Sequence, residues 1–322
     1  MEERNLRRHI LSLLLEAFPG SVSGERLAHL SGVSRVAVWK VVQELKAQGF
    51  PIATSHAGYR LLALPDVFHP DFLEPYLAQE VQGIQVVYEE EVDSTSTRLK
   101  ILAEACAPEG TLCVTERQTA GRGRRGRSWF SLPKKSLTFS LLLRPGRSLE
   151  ACSSLALLAG LALAEALEDL GFSPSLKWPN DVLLRGKKVA GILLEAATDL
   201  DEAPWVVLGI GVNVNLEEED LSPLPFSATS LLVEGGEPVL RISVLRRFLA
   251  HFLEDYEKWK QSGNFSPWVL EYNRRFAFLG KAVTISGGRE PVSGVALGID
   301  ARGALRVKRG GEELAIAWGE IA

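Results

Sequence analysis

Cysteine is scarce: Cys106, Cys113 and Cys152 are the only three in 322 residues, and no two form a CxxC pair. So sparse and odd a set excludes a disulfide framework and a zinc site, and it fits a reducing cytosol. Histidine is nearly as thin. None of the five pairs at metal-ligand spacing, so each reads as structural or surface and no protein-borne metal site is expected. No apolar run is long enough to span a bilayer, and no membrane partner is expected. The opening stretch MEERNLRRHILSLLLEAF carries charges among helically spaced apolar residues and lacks a small-residue cleavage site. It reads as a soluble helix rather than a signal peptide. There is no long-period repeat. An excess of positive charge is also missing, since the formal net charge is −4.

The charge that is present is unevenly spread. Residues 1–64 hold eight Lys/Arg against five Glu, a net of +3 that leaves −7 for the rest. That asymmetry points to an anionic partner for the N-terminal piece. Within it, Leu6, Ile10, Leu13, Leu14 and Ala17 make one helical stripe over 4–17. Ser23 can cap a short helix, ERLAHLSG, that Gly32 ends. Ser34 can cap a third, RVAVWKVVQELKAQG, that Gly49 closes, with Val36, Val38, Val41, Val42 and Leu45 as its apolar faces. Two short helices around a tight turn make a helix-turn-helix. FPIATSHAGYRLL, turning at Ser55-His56-Ala57-Gly58, supplies a hairpin or wing.

A chain of this length suggests two or three domains. The winged module is placed at 1–64 and a proline-rich linker running into a short helix at 65–80. A second composition follows over 81–275. Its strand-like runs (IQVVYEEEV, TLCVTER, SLTFSLLL, APWVVLGIGVNVNL) and helical runs (DSTSTRLKILAEAC, LEACSSLALLAGLALAEALEDLG, a helix from Ser243 to about Lys260) lack the strict alternation of a doubly wound parallel sheet. SLKWPNDVLLRGKKVAGILLEA reads as one hairpin turning at Arg185-Gly186. A mixed α/β sheet domain is the expectation. Residues 276–322 hold five β-prone runs between Gly-rich turns, as in a small barrel. The fold class is therefore α+β and multidomain.

Three constellations could carry chemistry. GRGRRGRSW, residues 121–129, puts four arginines on a glycine-softened loop between two strands. Guanidinium forks suit phosphate oxygens, and glycine lets backbone approach an anion. The loop reads as a lid over a phosphorylated ligand, with a nucleic-acid contact as the alternative. KWPNDVLLRGKKVAGILLE places Asn180 and Asp181 at a strand start, with Lys188 across the turn. Acid and cation would face one site, the acid to orient an amine and the lysine to meet a carboxyl or phosphate oxygen. Lys187 is left to the surface and Trp178 to the core. DSTS, residues 93–96, has more hydroxyls than a helix cap needs and could hold a small polar ligand. LGIGVNVN has a Gly-x-Gly, but Val214 stands where a dinucleotide fingerprint needs its third glycine, so a Rossmann reading is rejected.

Together DSTS, ERQTAGRGRRGRSW, KWPNDVLLRGKKVAGILLE and GIGVNVN resemble the ordered motifs of the biotin protein ligases. With the helix-turn-helix in front, the chain resembles their bifunctional type, which also represses biotin genes. The resemblance implies a winged helix-turn-helix, a ligase domain of the class II aminoacyl-tRNA synthetase/biotin ligase type, and an SH3-like C-terminal barrel. It implies that ATP and biotin, with Mg²⁺, give biotinyl-5′-AMP, and that biotin then passes to a lysine of the biotin carboxyl carrier protein of acetyl-CoA carboxylase. It assigns Ser94, Thr95, Ser96 and Gln118 to the ureido ring. Arg122, Gly123, Arg124 and Lys188 go to the carboxylate and α-phosphate. Asn180 and Asn213 go to the adenylate, and Asp181 to the acceptor amine. Ser96 is a departure, because the family usually has Asn there. For the repressor half it implies operator DNA met by Ser34, Arg35 and Lys40, and a homodimer promoted by the adenylate. A ligand-sensing transcription factor without ligase activity, and a lipoate ligase relative, are the competing readings.

Overall fold

The computed structural model describes residues 3–197, 205–288 and 290–321. The strand expected over APWVVLGIGVNVNL thus has its first two residues, Ala203 and Pro204, outside the described set. The chain forms two compact units, residues 1–88 and 89–322.

The first unit holds α1 (Glu3–Ala17), α2 (Gly24–Ser31), α3 (Arg35–Ala47), β1 (Ile52–Ser55), β2 (Gly58–Leu61) and α4 (Pro70–Leu77). The helix starts are those that the hydroxyls dictate. Ser23 Oγ accepts the Arg26 N–H at 3.1 Å and Ser34 Oγ accepts the Ala37 N–H at 3.2 Å. Gly32 closes α2 in the left-handed conformation. β1 and β2 pair antiparallel with Ile52 opposite Leu61. Gly58 is required at the wing: its φ is +116°, and a Cβ would lie 2.1 Å from the Val22 carbonyl oxygen. The apolar residues of α3 divide between two faces. Val38, Val41, Val42 and Leu45 are buried, but Val36 is 64% exposed. At 100° per residue it points away from the core face that the other four share.

The second unit is built on a seven-stranded sheet, with β3 (Gln85–Val92), β4 (Thr111–Gln118), β5 (Ser136–Leu143), β9 (Val206–Asn213), β8 (Lys187–Ala196), β7 (Asp181–Leu184) and β6 (Pro174–Lys177) in that spatial order. The pairs from β4 through β6 are antiparallel. α5 (Thr95–Glu104), α6 (Leu149–Cys152), α7 (Leu155–Glu168), α8 (Glu218–Leu221), α9 (Leu231–Gly235), α10 (Arg241–Ser262) and α11 (Val269–Arg275) complete the helices. β10 (Ala282–Ser286), β11 (Val292–Ile299), β12 (Leu305–Arg309), β13 (Glu312–Ile316) and β14 (Glu320–Ile321) form an antiparallel sheet in the order β13-β12-β11-β10-β14.

Three sequence readings need correction. The apolar helix over 149–168 is two helices, because Ser153 and Ser154 turn their hydroxyls back onto the Glu150 and Ala151 carbonyls at 2.6 and 2.8 Å. By length and composition alone the segment Leu149–Glu168 could cross a membrane, contrary to the expectation, yet α7 buries eleven residues against the sheet and α10. SLKWPNDVLLRGKKVAGILLEA forms two hairpins, not one. A turn over 178–180 precedes β7, and only the second turn is at Arg185-Gly186. Trp178 is core, 1% exposed, and its indole N–H donates to the Gly303 carbonyl, tying the central sheet to the C-terminal one. Burial pushes the thiols of Cys113 and Cys152 up to about 12 and about 11, so both stay protonated.

Candidate active site

The site develops from the edge where β4 meets the start of α5. Ser94 occupies the N-cap position, but its hydroxyl makes no cap bond. The Ser94 N–H goes to Asp93 Oδ1 at 2.6 Å instead. Gln118, at the end of β4, accepts at Oε1 from both the Thr95 N–H (2.9 Å) and the Thr95 hydroxyl (3.2 Å). Thr95 Oγ1 and Ser96 Oγ both contact Ser140 Oγ on β5, at 2.8 and 3.0 Å. All three residues of Ser94–Ser96 are at least 96% buried. The hydroxyl cluster is thus an interior polar network and not a solvated cap.

The other end lies on β7 and β8. Asp181 pairs in register with Gly191 and Leu183 with Lys188, across a bulge between Val182 and Leu183. The bulge re-aims the side chains, and Lys188 Nζ sits 2.7 Å from Asp181 Oδ1. The ammonium also lies 5.6 Å from the ring centres of Trp129 and Phe226. Asn180 is spent structurally on one side, its amide donating to the Ile192 carbonyl at 2.7 Å. On the other side its Oδ1 accepts from Arg124 Nη1 at 3.1 Å, so the arginine loop reaches the start of β7.

That loop is tied down by its own arginines. Arg124 also donates to the Gly319 carbonyl at 3.4 Å. Burial, then the neighbouring Arg125, pushes its guanidinium below the usual range. Arg127 makes a two-pronged pair with Glu320 at 2.6 and 2.9 Å, and Arg125 donates to the Ser286 carbonyl at 3.3 Å. Burial works against ionisation of Glu320, but the Arg127 hydrogen bond and both guanidiniums outweigh it and hold the carboxyl below its ordinary range. Arg122 turns elsewhere. Its Nη2 lies 3.2 Å from Glu195 Oε1, which Lys100 also contacts.

Between the two ends the floor is glycine. Gly209 faces Ser140 across β5–β9, and Gly211 faces Gly191 across β8–β9. Strand side chains alternate, so positions 209 and 211 look to the same face. A Cβ at Gly209 would lie 2.5 Å from Ser96 Oγ. One at Gly211 would lie 2.1 Å from the Trp129 indole, and one at Gly191 would lie 3.1 Å from that ring and 3.2 Å from Lys188 Nζ. A side-chain-free track therefore runs from the Ser96 end to the Lys188 end. The Trp129 indole lies over its far part, its N–H buried and unpartnered.

Comparison with known proteins agrees with this layout. Residues 88–213 match the biotin/lipoate A/B protein ligase family, residues 6–60 an HTH domain, and residues 278–322 the biotin protein ligase C terminal domain. The bifunctional ligase/repressor BirA of Bacillus spizizenii is 36% identical over 93% of both chains. That of Escherichia coli is 31% identical over 93% of this chain and 92% of its own. The chain belongs to the bifunctional biotin ligase/repressor family. Among solved structures, the biotin protein ligase from Aquifex aeolicus in complex with biotin and ATP superposes with a TM-score of 0.64 at 34% identity, covering 74% of this chain and 97% of that one.

For a ligase/repressor of this family, the structure brings together Thr95, Ser96 and Gln118 at one end of the track, and Asn180, Asp181, Lys188 and Arg124 at the other. Gly123 is held in the loop, its N–H on the Arg127 carbonyl at 2.7 Å. Asn213 looks to the same face of β9 as Gly209 and Gly211 and is buried, its amide donating at 3.0 Å to the carbonyl of Thr229, whose own N–H bonds the Lys188 carbonyl at 2.9 Å. Arg122 faces Glu195 rather than Lys188. In the first unit, Ser34 is spent as a cap while Arg35 and Lys40 are exposed. Sequence reasoning passed over Gly191, Gly209, Gly211, Trp129, Ser140 and Glu320. The Gly-x-Gly fails as a dinucleotide pattern, and the family resemblance of GIGVNVN gives a role to Asn213 alone. The two-residue spacing of the glycines on a strand was itself the signal of a bare patch on one face.

Proposed function

We propose that this chain activates biotin with ATP and transfers it to a lysine of the biotin carboxyl carrier protein, and that with biotinyl-5′-AMP as corepressor it binds operator DNA as a dimer. The single observation that carries the ligase reading is the glycine-floored track joining the Thr95–Ser96–Gln118 network to the Asp181–Lys188 pair beneath the Arg124 loop. A ureido ring offers one acceptor and two donors, which a hydroxyl-and-amide network can match. The carboxylate at the far end of an extended ligand would meet Lys188 and Arg124. In the first step that carboxylate oxygen attacks the α-phosphorus of ATP, forming the mixed anhydride as pyrophosphate departs. Lys188 and Arg124 offset the charge that accumulates on the phosphoryl oxygens. Drawing Lys188 onto the phosphate frees Asp181. In the second step Asp181 orients the acceptor lysine and takes its proton, the amine attacks the anhydride carbonyl, and AMP leaves.

Among the described residues no group of three His, Cys, Asp or Glu is placed to hold a metal. Mg²⁺ would accompany the nucleotide phosphates and screen their charge. The test is incubation with ATP, Mg²⁺, biotin and a carrier domain, followed by a streptavidin blot. Streptavidin-reactive carrier is the expected result. Absence of labelling, or transfer with lipoate only, would overturn the reading.

A further inference from the structure

α3 turns a definite set of residues outward. At about 100° per residue, Arg35, Trp39, Gln43, Val36 and Lys40 fall on one stripe about 140° wide, away from the buried Val38, Val41, Val42 and Leu45. Two of the five are large and apolar, Val36 at 64% and Trp39 at 52% exposure. Single exposed apolar residues need no explanation. Here two share a stripe in the first turns of the helix that follows the tight turn, flanked by exposed Arg35 and Lys40. Among the described residues neither of these cations is paired with an acid, whereas Arg7 and Arg8 of the same unit face Asp71 and Glu74. A patch flanked by unneutralised cations is complementary to a polyanion that presents apolar groups between its charges.

The DNA major groove is such a surface. The thymine C5-methyl is the only apolar feature on its base-pair edges, and phosphates line both rims. We infer that Val36 and Trp39 form an apolar reading patch for thymine methyl groups, with Arg35 and Lys40 on the flanking phosphates. This rests on the DNA-binding half of the function proposed above. Val36 and Trp39 are about 4.5 Å apart along the helix axis, against about 3.4 Å per base step. The thymines they read therefore lie on adjacent or next-adjacent base pairs. The apolar residues supply sequence choice, and the cations supply affinity without it.

The test uses the full chain with biotin, ATP and Mg²⁺. A duplex is first selected from a random pool, and its thymines are then replaced one at a time by deoxyuridine, which lacks only the methyl. One or two positions per half-site should weaken binding three- to tenfold. Trp39→Ala and Val36→Ser should bind the parent duplex at least tenfold more weakly and lose the thymine/uracil difference at one of those positions. Their slope of log affinity against log salt should stay at the wild-type value. Arg35→Ala and Lys40→Ala should do the opposite, flattening the slope and keeping the methyl discrimination. Biotin transfer to the carrier should be unchanged in all four, which guards against misfolding. If both apolar variants retain full thymine/uracil discrimination, the patch does not read methyls. If instead they abolish self-association in sedimentation and leave discrimination intact, the stripe is a contact between copies and the inference is wrong. Failure to select any duplex would refute the DNA-binding reading itself.

Discussion

Gly211→Ala should separate the ligand track from the stability of the sheet that bears it. The added methyl would stand 2.1 Å from Trp129 Cε2, 2.4 Å from Nε1 and 2.5 Å from Cζ2. Carbon atoms rest at about 3.5–4.0 Å, so the indole must retreat by more than 1 Å. Alanine in place of a strand glycine otherwise stabilises by about 0.4–1 kcal/mol, because the unfolded chain loses freedom. Overpacking costs about 1–3 kcal/mol, but Trp129 is only partly buried, so its indole can turn outward. The two terms roughly cancel, and the melting temperature should move by no more than about 3 °C. The track has no such release, since β9 lies between β5 and β8 and cannot retreat. If biotin bears the overpacking, about 1–3 kcal/mol is about 5- to 150-fold in affinity. The assay is KM for biotin in carrier labelling, with KM for ATP, tryptophan fluorescence and a thermal melt beside it. A biotin KM within twofold of wild type, in a protein whose tryptophan emission has shifted, would refute the claim that this face of β9 is the floor.

Asp181→Asn should keep adenylate formation, measured by biotin-dependent exchange of pyrophosphate into ATP, and slow transfer to the carrier about 100-fold or more, the usual worth of a positioned base. Equal loss of both half-reactions would place Asp181 in the first step instead. Glu116→Ala should destabilise the second unit by about 3 kcal/mol, because it removes the carboxylate that offsets the charge of Arg241, a 1%-exposed guanidinium that meets Glu116 at 2.7 and 3.0 Å and the Ser136 carbonyl at 3.3 Å. Calorimetry should show a fall of about 6–12 °C, and a fall under 2 °C would contradict the burial argument. Acid should loosen the arginine loop. Glu320 titrates below its unfolded value of about 4.3, so its contribution is complete above that pH and is lost as pH falls through the depressed value. Limited proteolysis at the loop should therefore rise as the pH falls below the unfolded value, and Glu320→Gln should raise it at neutral pH. Unchanged cleavage in that variant would show that Arg127 does not need the pair.

Local signals made the helices and turns legible, and non-local partners account for most of what was not. Ser23, Gly32 and Ser34 bound their helices because a hydroxyl or a glycine acts on atoms two or three residues away. The Asp181–Lys188 pair was legible for a similar reason, a short turn that brings two strands into register. Ser153 and Ser154 broke an apparently continuous helix through bonds that no apolar periodicity reports. Which of α3's apolar faces is buried was not legible, because hydrophobicity alone does not separate Val36 from the four residues that meet the core. The least legible part was the tether of the loop. Arg125 and Arg127 had no reading from sequence, because Ser286 and Glu320 lie more than 160 residues further on. Packing of the C-terminal sheet beside the central one is what brings them within reach.

Ser96 is the position at which the hydrogen bonds decide most. Gln118 must present Oε1 to Thr95, because a backbone N–H lies on that atom and can only donate. Thr95 then gives its one hydroxyl proton to the same oxygen. Its contact with Ser140 at 2.8 Å must therefore be a bond that Ser140 donates, and the 3.0 Å contact between Ser140 and Ser96 must be one that Ser96 donates. The chain of protons runs one way, from Ser96 to Gln118. Ser96 is left with acceptor lone pairs only, and Gln118 with the two N–H donors of its amide. On the proposed function those are complementary to a ureido N–H and to the ureido carbonyl. Ser96→Ala removes the acceptor without orphaning Ser140, which still donates to Thr95, so stability should hardly change. The biotin KM should rise about tenfold, the worth of one net hydrogen bond of about 1.4 kcal/mol, with KM for ATP unchanged. A biotin KM that stays put in Ser96→Ala would mean that the ring is held without this hydroxyl, and that its whole role is to satisfy Ser140 beneath Gly209.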